Sequence, residues 1–294
     1  MREVLLLGVG LFLCGCGPGA ALRTSGQEDP AALRSHLPEL DDDVLELGKA
    51  SKRSLGRRSS VVNLVDLWNN CTAYSKGFNK GVDVLASLKH KFLYADNVKA
   101  GSSSVRRLLN RTMRVVWEAT DVPSAHEPGR RTNMADFRQE DLEGLFKFSF
   151  VRDPVAKFES GVQEAWRQDP TLANMSADDL LKAQIARGKW WLNEHLQPSS
   201  WRLAAYNHEG QMVSFDFIGQ VEDMAADWRF VVESMAALEP ELKTGLLKIR
   251  KLNHREEAPP LSKLTEAGVK MMCESKLYSA EWECFGYEKP SACK

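Results

Sequence analysis

Lys99-Ala100-Gly101-Ser102-Ser103-Ser104 follows the apolar run Phe92-Leu93-Tyr94, and Arg152-Asp153-Pro154 follows Phe148-Ser149-Phe150-Val151. Each reads as a buried strand emptying into a polar loop that opens a helix. Small residues let the first loop turn tightly and approach a ligand closely. The helix behind it offers unpaired N–H groups and the positive end of a dipole, which suit a phosphate or a sulfate. Ser102, Ser103 and Ser104 add hydroxyl donors, and Lys99 adds a mobile point charge. Arg152 stands at the C-terminal end of its strand, where open parallel sheets place their ligands. Pro154 suits the first turn of the next helix, and Ser160 lies two turns further on. Together these groups can hold an anionic nucleotide at both ends. No G-x-x-x-x-G-K-[ST] loop is present, which argues against ordinary ATP or GTP binding. The same residues also fit a plain Ser-capped helix and an arginine pairing with Asp153.

In order, the two segments resemble the 5′-phosphosulfate and 3′-phosphate loops of the Golgi carbohydrate sulfotransferases, a sulfotransferase-2-like family. These enzymes use 3′-phosphoadenosine 5′-phosphosulfate (PAPS). The pattern is Lys-x-Gly-[Ser/Thr]-[Ser/Thr]-Ser, then Arg-Asp-Pro-x-x-[Arg/Lys]-Phe-x-Ser-Gly. Asn193-Glu194-His195-Leu196-Gln197-Pro198 resembles the family's His-x-x-Pro segment, and Phe215 to Glu222 its strand ending in glycine and glutamate. Leu252-Asn253-His254 and Phe285-Gly286-Tyr287 resemble its last two short motifs, so the likeness runs from about Phe92 to Tyr287. The chain departs at Val98, where the family usually has Pro, and at Lys157, where Arg is commoner.

The resemblance implies a fold and a set of roles. The fold is α/β, a P-loop-like central parallel sheet flanked by helices on both faces. Lys99, Ala100, Gly101, Ser102, Ser103 and Ser104 would hold the 5′-phosphosulfate; Arg152 and Ser160 would hold the 3′-phosphate. Sulfuryl transfer leaves charge on the departing phosphate oxygen, and a cation fixed there favours the transition state. Lys99 takes that catalytic role. The acceptor hydroxyl needs a base. His195, in a family-like segment, ranks first, ahead of His126, Glu118 and Asp121. No His or Cys pair has zinc-ligand spacing, so no metal is expected. The implied activity is transfer of a sulfuryl group from PAPS to a hydroxyl of a glycan. Two rival readings are a nucleotide-dependent kinase and a non-catalytic glycan-binding relative. The missing Walker pattern and the Arg152/Ser160 pair weigh against the first. Retention of Lys99, Arg152 and Ser160 weighs against the second.

At 294 residues the chain can form one sizeable catalytic domain plus an extension. Its formal charge of −1 gives no case for nucleic-acid binding. Val4 to Cys16 is an apolar run, short against the roughly 20 residues of a membrane span, and reads as a signal peptide or, extended to Leu22, a signal anchor. The expected divisions are 1–22 for that segment, 23–60 for a flexible stem and 61–294 for the catalytic domain. The resemblance places the protein in the Golgi lumen as a type II membrane protein, or secreted after cleavage. Cys71, Cys273, Cys284 and Cys293 are compatible with two disulfides, of which Cys273–Cys284 is weakly favoured as the shortest useful loop. Asn70, Asn110 and Asn174 head glycosylation sequons.

The elements expected around the loops are a helix from Ser102 to Val116 and strands over 145–151 and 213–218. Further helices are expected over 176–187, 221–238 and 261–272. Trp190, Trp191 and Trp201 flank the His195 segment and suit packing more than sugar stacking.

Overall fold

Strand-forming apolar residues supply the centre of the molecule: β1 (Val84–Ser87), β2 (Phe92–Ala95), β3 (Phe146–Val151) and β4 (Phe217–Gln220). They lie in the order β1-β2-β3-β4 in one sheet. The last three run parallel, and β1 pairs antiparallel with β2 through a tight turn. The structure is a computed structural model that describes residues 61–71, 82–114, 132–188, 192–249 and 260–294. The N-terminal apolar run, the stem, Glu118, Asp121, His126, Trp190, Trp191 and Leu252-Asn253-His254 lie outside those residues.

In chain order the helices are α1 (Val65–Cys71), α2 (Ser102–Met113), α3 (Gln139–Leu142), α4 (Pro154–Gln168) and α5 (Ala177–Arg187). They continue with α6 (Ser199–Leu203), α7 (Met224–Ser234), α8 (Pro240–Leu246), α9 (Glu266–Glu274) and α10 (Glu281–Cys284). Alternation along the strands decides which side each covers. Phe92, Tyr94, Phe148, Phe150 and Phe217 pack with Val105 and Leu109 of α2 and Trp228, Val231 and Val232 of α7. Leu93, Ala95, Val151 and Ile218 face the other way, against Trp68 of α1, Leu203 of α6 and Phe285. A third cluster joins α4, α5, α9 and α10 through Phe158, Val162, Leu180, Met272 and Trp282. The sheet is thus covered on both faces, the α/β arrangement that alternating strands and helices imply.

Several boundaries differ from expectation, each for a local reason. The run from Val213 joins the sheet only at Phe217. Before that point Asp216 is engaged sideways: its N–H donates to Lys147 O and its carboxylate accepts from Lys147 N. The far side of β4 is closed by the chain before α1. Asn63 Oδ1 accepts from Ile218 N at 3.2 Å, and Leu64 N donates to Ile218 O at 3.1 Å. An otherwise open strand edge is covered. Thr265 caps α9 by accepting from Gly268 N, which starts that helix at Glu266, five residues after the expected start at Leu261. Val221–Asp223 forms a 3-10 turn before α7 begins at Met224.

The disulfides are Cys71–Cys284 and Cys273–Cys293, not Cys273–Cys284. Cys284 on α10 faces the sheet-side cluster with Trp68 and Phe285, whose rings stack at 5.6 Å, and meets Cys71 of α1 there. Cys273 packs in the other cluster, at the end of α9 beside the closing turn Ser291–Cys293. Because Cys71 and Cys284 are 213 residues apart, against 20 for the other pair, removing the first should cost more. A Cys71→Ala, Cys284→Ala variant is expected to lose about 2–5 kcal/mol in urea unfolding. A cost no larger than that of the Cys273→Ala, Cys293→Ala pair would contradict this ranking.

Candidate active site

Because β2 and β3 are parallel neighbours, the loops that leave their C-terminal ends emerge side by side. The β2 loop begins with Asp96 and Asn97, both buried. Asn97 Nδ2 donates to Phe150 O at 2.9 Å and to Ser199 Oγ at 3.0 Å, tying the loop to β3 and to α6. Ala100 N then donates to Asn97 O, which closes a turn. Lys99 and Gly101 both take left-handed backbone angles, φ 66° and 75°. Glycine accepts that conformation readily, whereas a lysine is held there at a cost of about 1–2 kcal/mol. Gly101 is also the residue before α2, and it has no side chain with which to cap that helix. Its opening turn consists of Ser102, buried, and Ser103 and Ser104, half-buried.

The second loop is shorter. Asp153 caps α4, its carboxylate accepting from Ala156 N at 2.8 Å, with Pro154 at the first helical position. Asp153 N in turn donates to Glu222 at 3.0 Å, and Tyr287 Oη donates to the other oxygen of Glu222 at 2.8 Å. Asp153 is therefore a helix cap, and Arg152 turns elsewhere: Arg152 Nη1 donates to the carbonyl of Lys99 at 3.4 Å. The lysine loop and the arginine loop meet directly.

α4 runs along the open side of this junction. Ser160, half-buried, and Glu164 lie one turn apart on it, and Glu164 Oε2 is 3.7 Å from Lys99 Nζ. Gly161 lets the 3-10 turn Glu194–Leu196 press against the helix; a Cβ there would overlap the His195 carbonyl oxygen and lie 2.9 Å from its carbon. This contact brings His195 to the site. Gln168 Nε2 lies 2.8 Å from His195 Nε2, and with the amide donating the ring proton belongs on Nδ1. Nδ1 is buried with no hydrogen-bond partner among the described residues. Burial, together with the nearby Lys99 and Arg202 cations, pushes the imidazole down to about 4 against a smaller opposing pull from Glu194 and Glu164. His195 is neutral at physiological pH.

Lys157 is the main surprise. It stands where the second motif has its basic residue, yet it is buried and its ammonium donates to the carbonyl of Gln197. Burial lowers it to about 7, partly opposed by Glu281. Glu281 is itself buried, and its two oxygens accept from Ser199 N and Ser200 N at 2.7 Å each. Burial raises its carboxyl. Trp201, the described member of the tryptophan trio, is core.

The geometry thus gathers Lys99, Gly101, the three serines, Arg152 and His195 at one sheet edge, with Ser160 on the adjoining helix. It adds Asn97, Glu164, Gln168 and Glu281, which the motifs did not single out. Of these, Glu164 carried a readable signal, since it lies four residues after Ser160 and so shares its helix face. The donor set fits a doubly anionic nucleotide: an uncapped helix start with three hydroxyls and a lysine, and an arginine a few ångströms away.

Residues 83–288 match the sequence model of the sulfotransferase family, well over half of the chain, and the protein belongs to that family. Its members carry out sulfuryl transfer, generally with PAPS, to an acceptor substrate. No curated protein and no solved structure matches the chain.

Proposed function

We propose that this protein transfers the sulfuryl group of PAPS to a hydroxyl of a glycan in the lumen of the Golgi. The observation that carries the nucleotide assignment is the junction of the two loops, with Arg152 Nη1 on the Lys99 carbonyl at 3.4 Å. It sets two cations and an uncapped helix start within one short span at the C-terminal edge of a parallel sheet. PAPS, when bound, supplies a sulfuryl group activated by a phosphate leaving group. Lys99, Gly101 and the N–H and hydroxyl groups of Ser102, Ser103 and Ser104 bind the phosphosulfate end. Lys99 stabilises the charge that develops there. Arg152 and Ser160 bind the 3′-phosphate, which ordinary adenine nucleotides lack. The glycan acceptor and the Golgi setting rest on the family-like segments downstream, on the sequons and on the apolar N-terminal run. Asn70, Asn110 and Asn174 are all exposed, as glycosylation would require.

Nucleotide selectivity tests this reading. The protein should bind 3′-phosphoadenosine 5′-phosphate (PAP) more tightly than ATP in a calorimetric titration. Arg152→Ala should remove a charge-assisted contact of about 1.5–3 kcal/mol, a 10- to 100-fold weakening for PAP with little change for ATP. A folded wild-type protein that shows no preference for PAP would sink the assignment.

A further inference from the structure

We propose that Glu164, through its Oε2, is the base that takes the proton from the acceptor hydroxyl, and that His195 is a positioning residue acting on it through Gln168. The inference rests on the sulfuryl-transfer reading above.

The two oxygens of Glu164 are used differently. Oε1 accepts from Arg167 Nε at 2.9 Å, from Arg167 Nη2, and from Gln168 Nε2 at 3.2 Å. Those three donors anchor the carboxylate. Among the described residues, Oε2 has beside it Lys99 Nζ at 3.7 Å, beyond hydrogen-bond range. Oε2 therefore lies on the side of the lysine head, and the Glu164 side chain keeps 17 % of its surface exposed. Lys99 pairs with Oε2 before the nucleotide arrives; an anion that draws the lysine toward the phosphate leaves Oε2 to the incoming hydroxyl. Arg167 hydrogen bonding and Lys99 hold the carboxyl below its ordinary range, so it is ionised at neutral pH.

His195 lacks those properties. Its Nε2 is occupied by Gln168, and its Nδ1 is buried. Asn193 Nδ2 donates to Gln168 Oε1 at 3.2 Å, and Asn193 Oδ1 accepts from His195 N at 2.9 Å. Asn193 and His195 thus fix the Gln168 amide, whose two N–H bonds go to His195 and to Glu164 Oε1. The chain His195–Gln168–Glu164 aims the carboxylate.

The acceptor O–H bond breaks and its proton passes to Glu164 Oε2. The acceptor oxygen forms a bond to sulfur, while the sulfur–phosphate-oxygen bond breaks and its electron pair leaves on the 5′-phosphate of PAP. Glu164 then returns the proton to water.

Three variants test this with PAPS, a glycan panel and PAP titration on the same samples. Glu164→Gln should lower turnover about 10²–10⁴-fold without weakening PAP binding, since it removes an anion that competes with the phosphate for Lys99, and added formate should restore part of the activity of Glu164→Ala. His195→Ala should lower turnover less than Glu164→Gln does. A readout independent of turnover is labelling by diethyl pyrocarbonate, which should mark the exposed His208 and spare His195. The base assignment is overturned by wild-type turnover in Glu164→Gln, by loss of PAP binding along with turnover, by the reverse order of the two variants, or by His195 labelling as fast as His208. A wild-type protein that binds no PAP would instead overturn the sulfotransferase reading, and this inference with it.

Discussion

Replacing Lys99 by alanine is expected to lower sulfate transfer from PAPS by about 10²–10³-fold, the usual cost of removing one preorganised donor from developing charge. Transfer of labelled sulfate to a glycan panel is the measurement. Lys99 is the residue for which structure and chemistry pull in opposite directions. Its backbone lies at φ 66°, a conformation that a side chain makes costly. The fold would tolerate glycine there at least as well, so the lysine is kept for its head group. Lys99→Gly separates the two roles. It should match the wild type in urea unfolding, because relief of about 1–2 kcal/mol of backbone strain offsets the lost contact with Glu164. Its transfer rate should fall as far as that of Lys99→Ala. Lys99→Arg should not restore full activity, since a planar fork cannot take the place of a compact ammonium. Near-wild-type transfer in the glycine variant would remove Lys99 from the chemistry.

The two loops were legible because each combines a short apolar run, small or hydroxyl residues and a helical period, all of which are local. Their meeting was only implied. That Arg152 bonds the Lys99 carbonyl follows from β2 and β3 being parallel neighbours, a long-range fact. β1 carries no such local signal, since Val84–Ser87 is four residues long and buried throughout, without the alternation that marks a half-buried strand. The start of β4 is not marked locally, because the run from Val213 is apolar on both sides of Asp216 and only the bonds to Lys147 decide where pairing begins. The disulfide expectation failed for a similar reason: loop length ranks the connectivities, but the partner of Cys284 is chosen by α1, more than two hundred residues away. Lys157 misled most. A basic residue at a motif position suggests a ligand contact, and nothing in the sequence says that its head is buried against Gln197 O.

That burial leads to the second large effect. Lys157 and Glu281 grip one segment from two sides: the lysine holds the carbonyl of Gln197, and the glutamate holds the N–H groups of Ser199 and Ser200. The same segment follows His195, and Ser199 Oγ accepts from Asn97 at the root of the Lys99 loop. Turning one carboxylate oxygen of Glu281 into an amide NH2 leaves one of the two buried N–H groups of Ser199 and Ser200 without its acceptor, so Glu281→Gln should lose about 1–3 kcal/mol near pH 7. The pH dependence has a definite sign. Lys157 titrates at about 7 when folded and near its ordinary 10.5 when unfolded, so between those values the unfolded chain binds the extra proton. This group's contribution to stability therefore rises with pH across that window. In Glu281→Gln the lysine loses its attracting partner and titrates lower still. At pH 9 it is uncharged in both proteins, so the deficit of the variant should shrink from pH 7 to pH 9. Urea unfolding of the two proteins at both values measures it, and an equal deficit at each would show that the pair is not coupled by charge. The same variant should bind PAP more weakly, although Glu281 touches neither loop. A segment that loses its grip at Ser199 also loosens Asn97, and with it the turn that holds Lys99 in place.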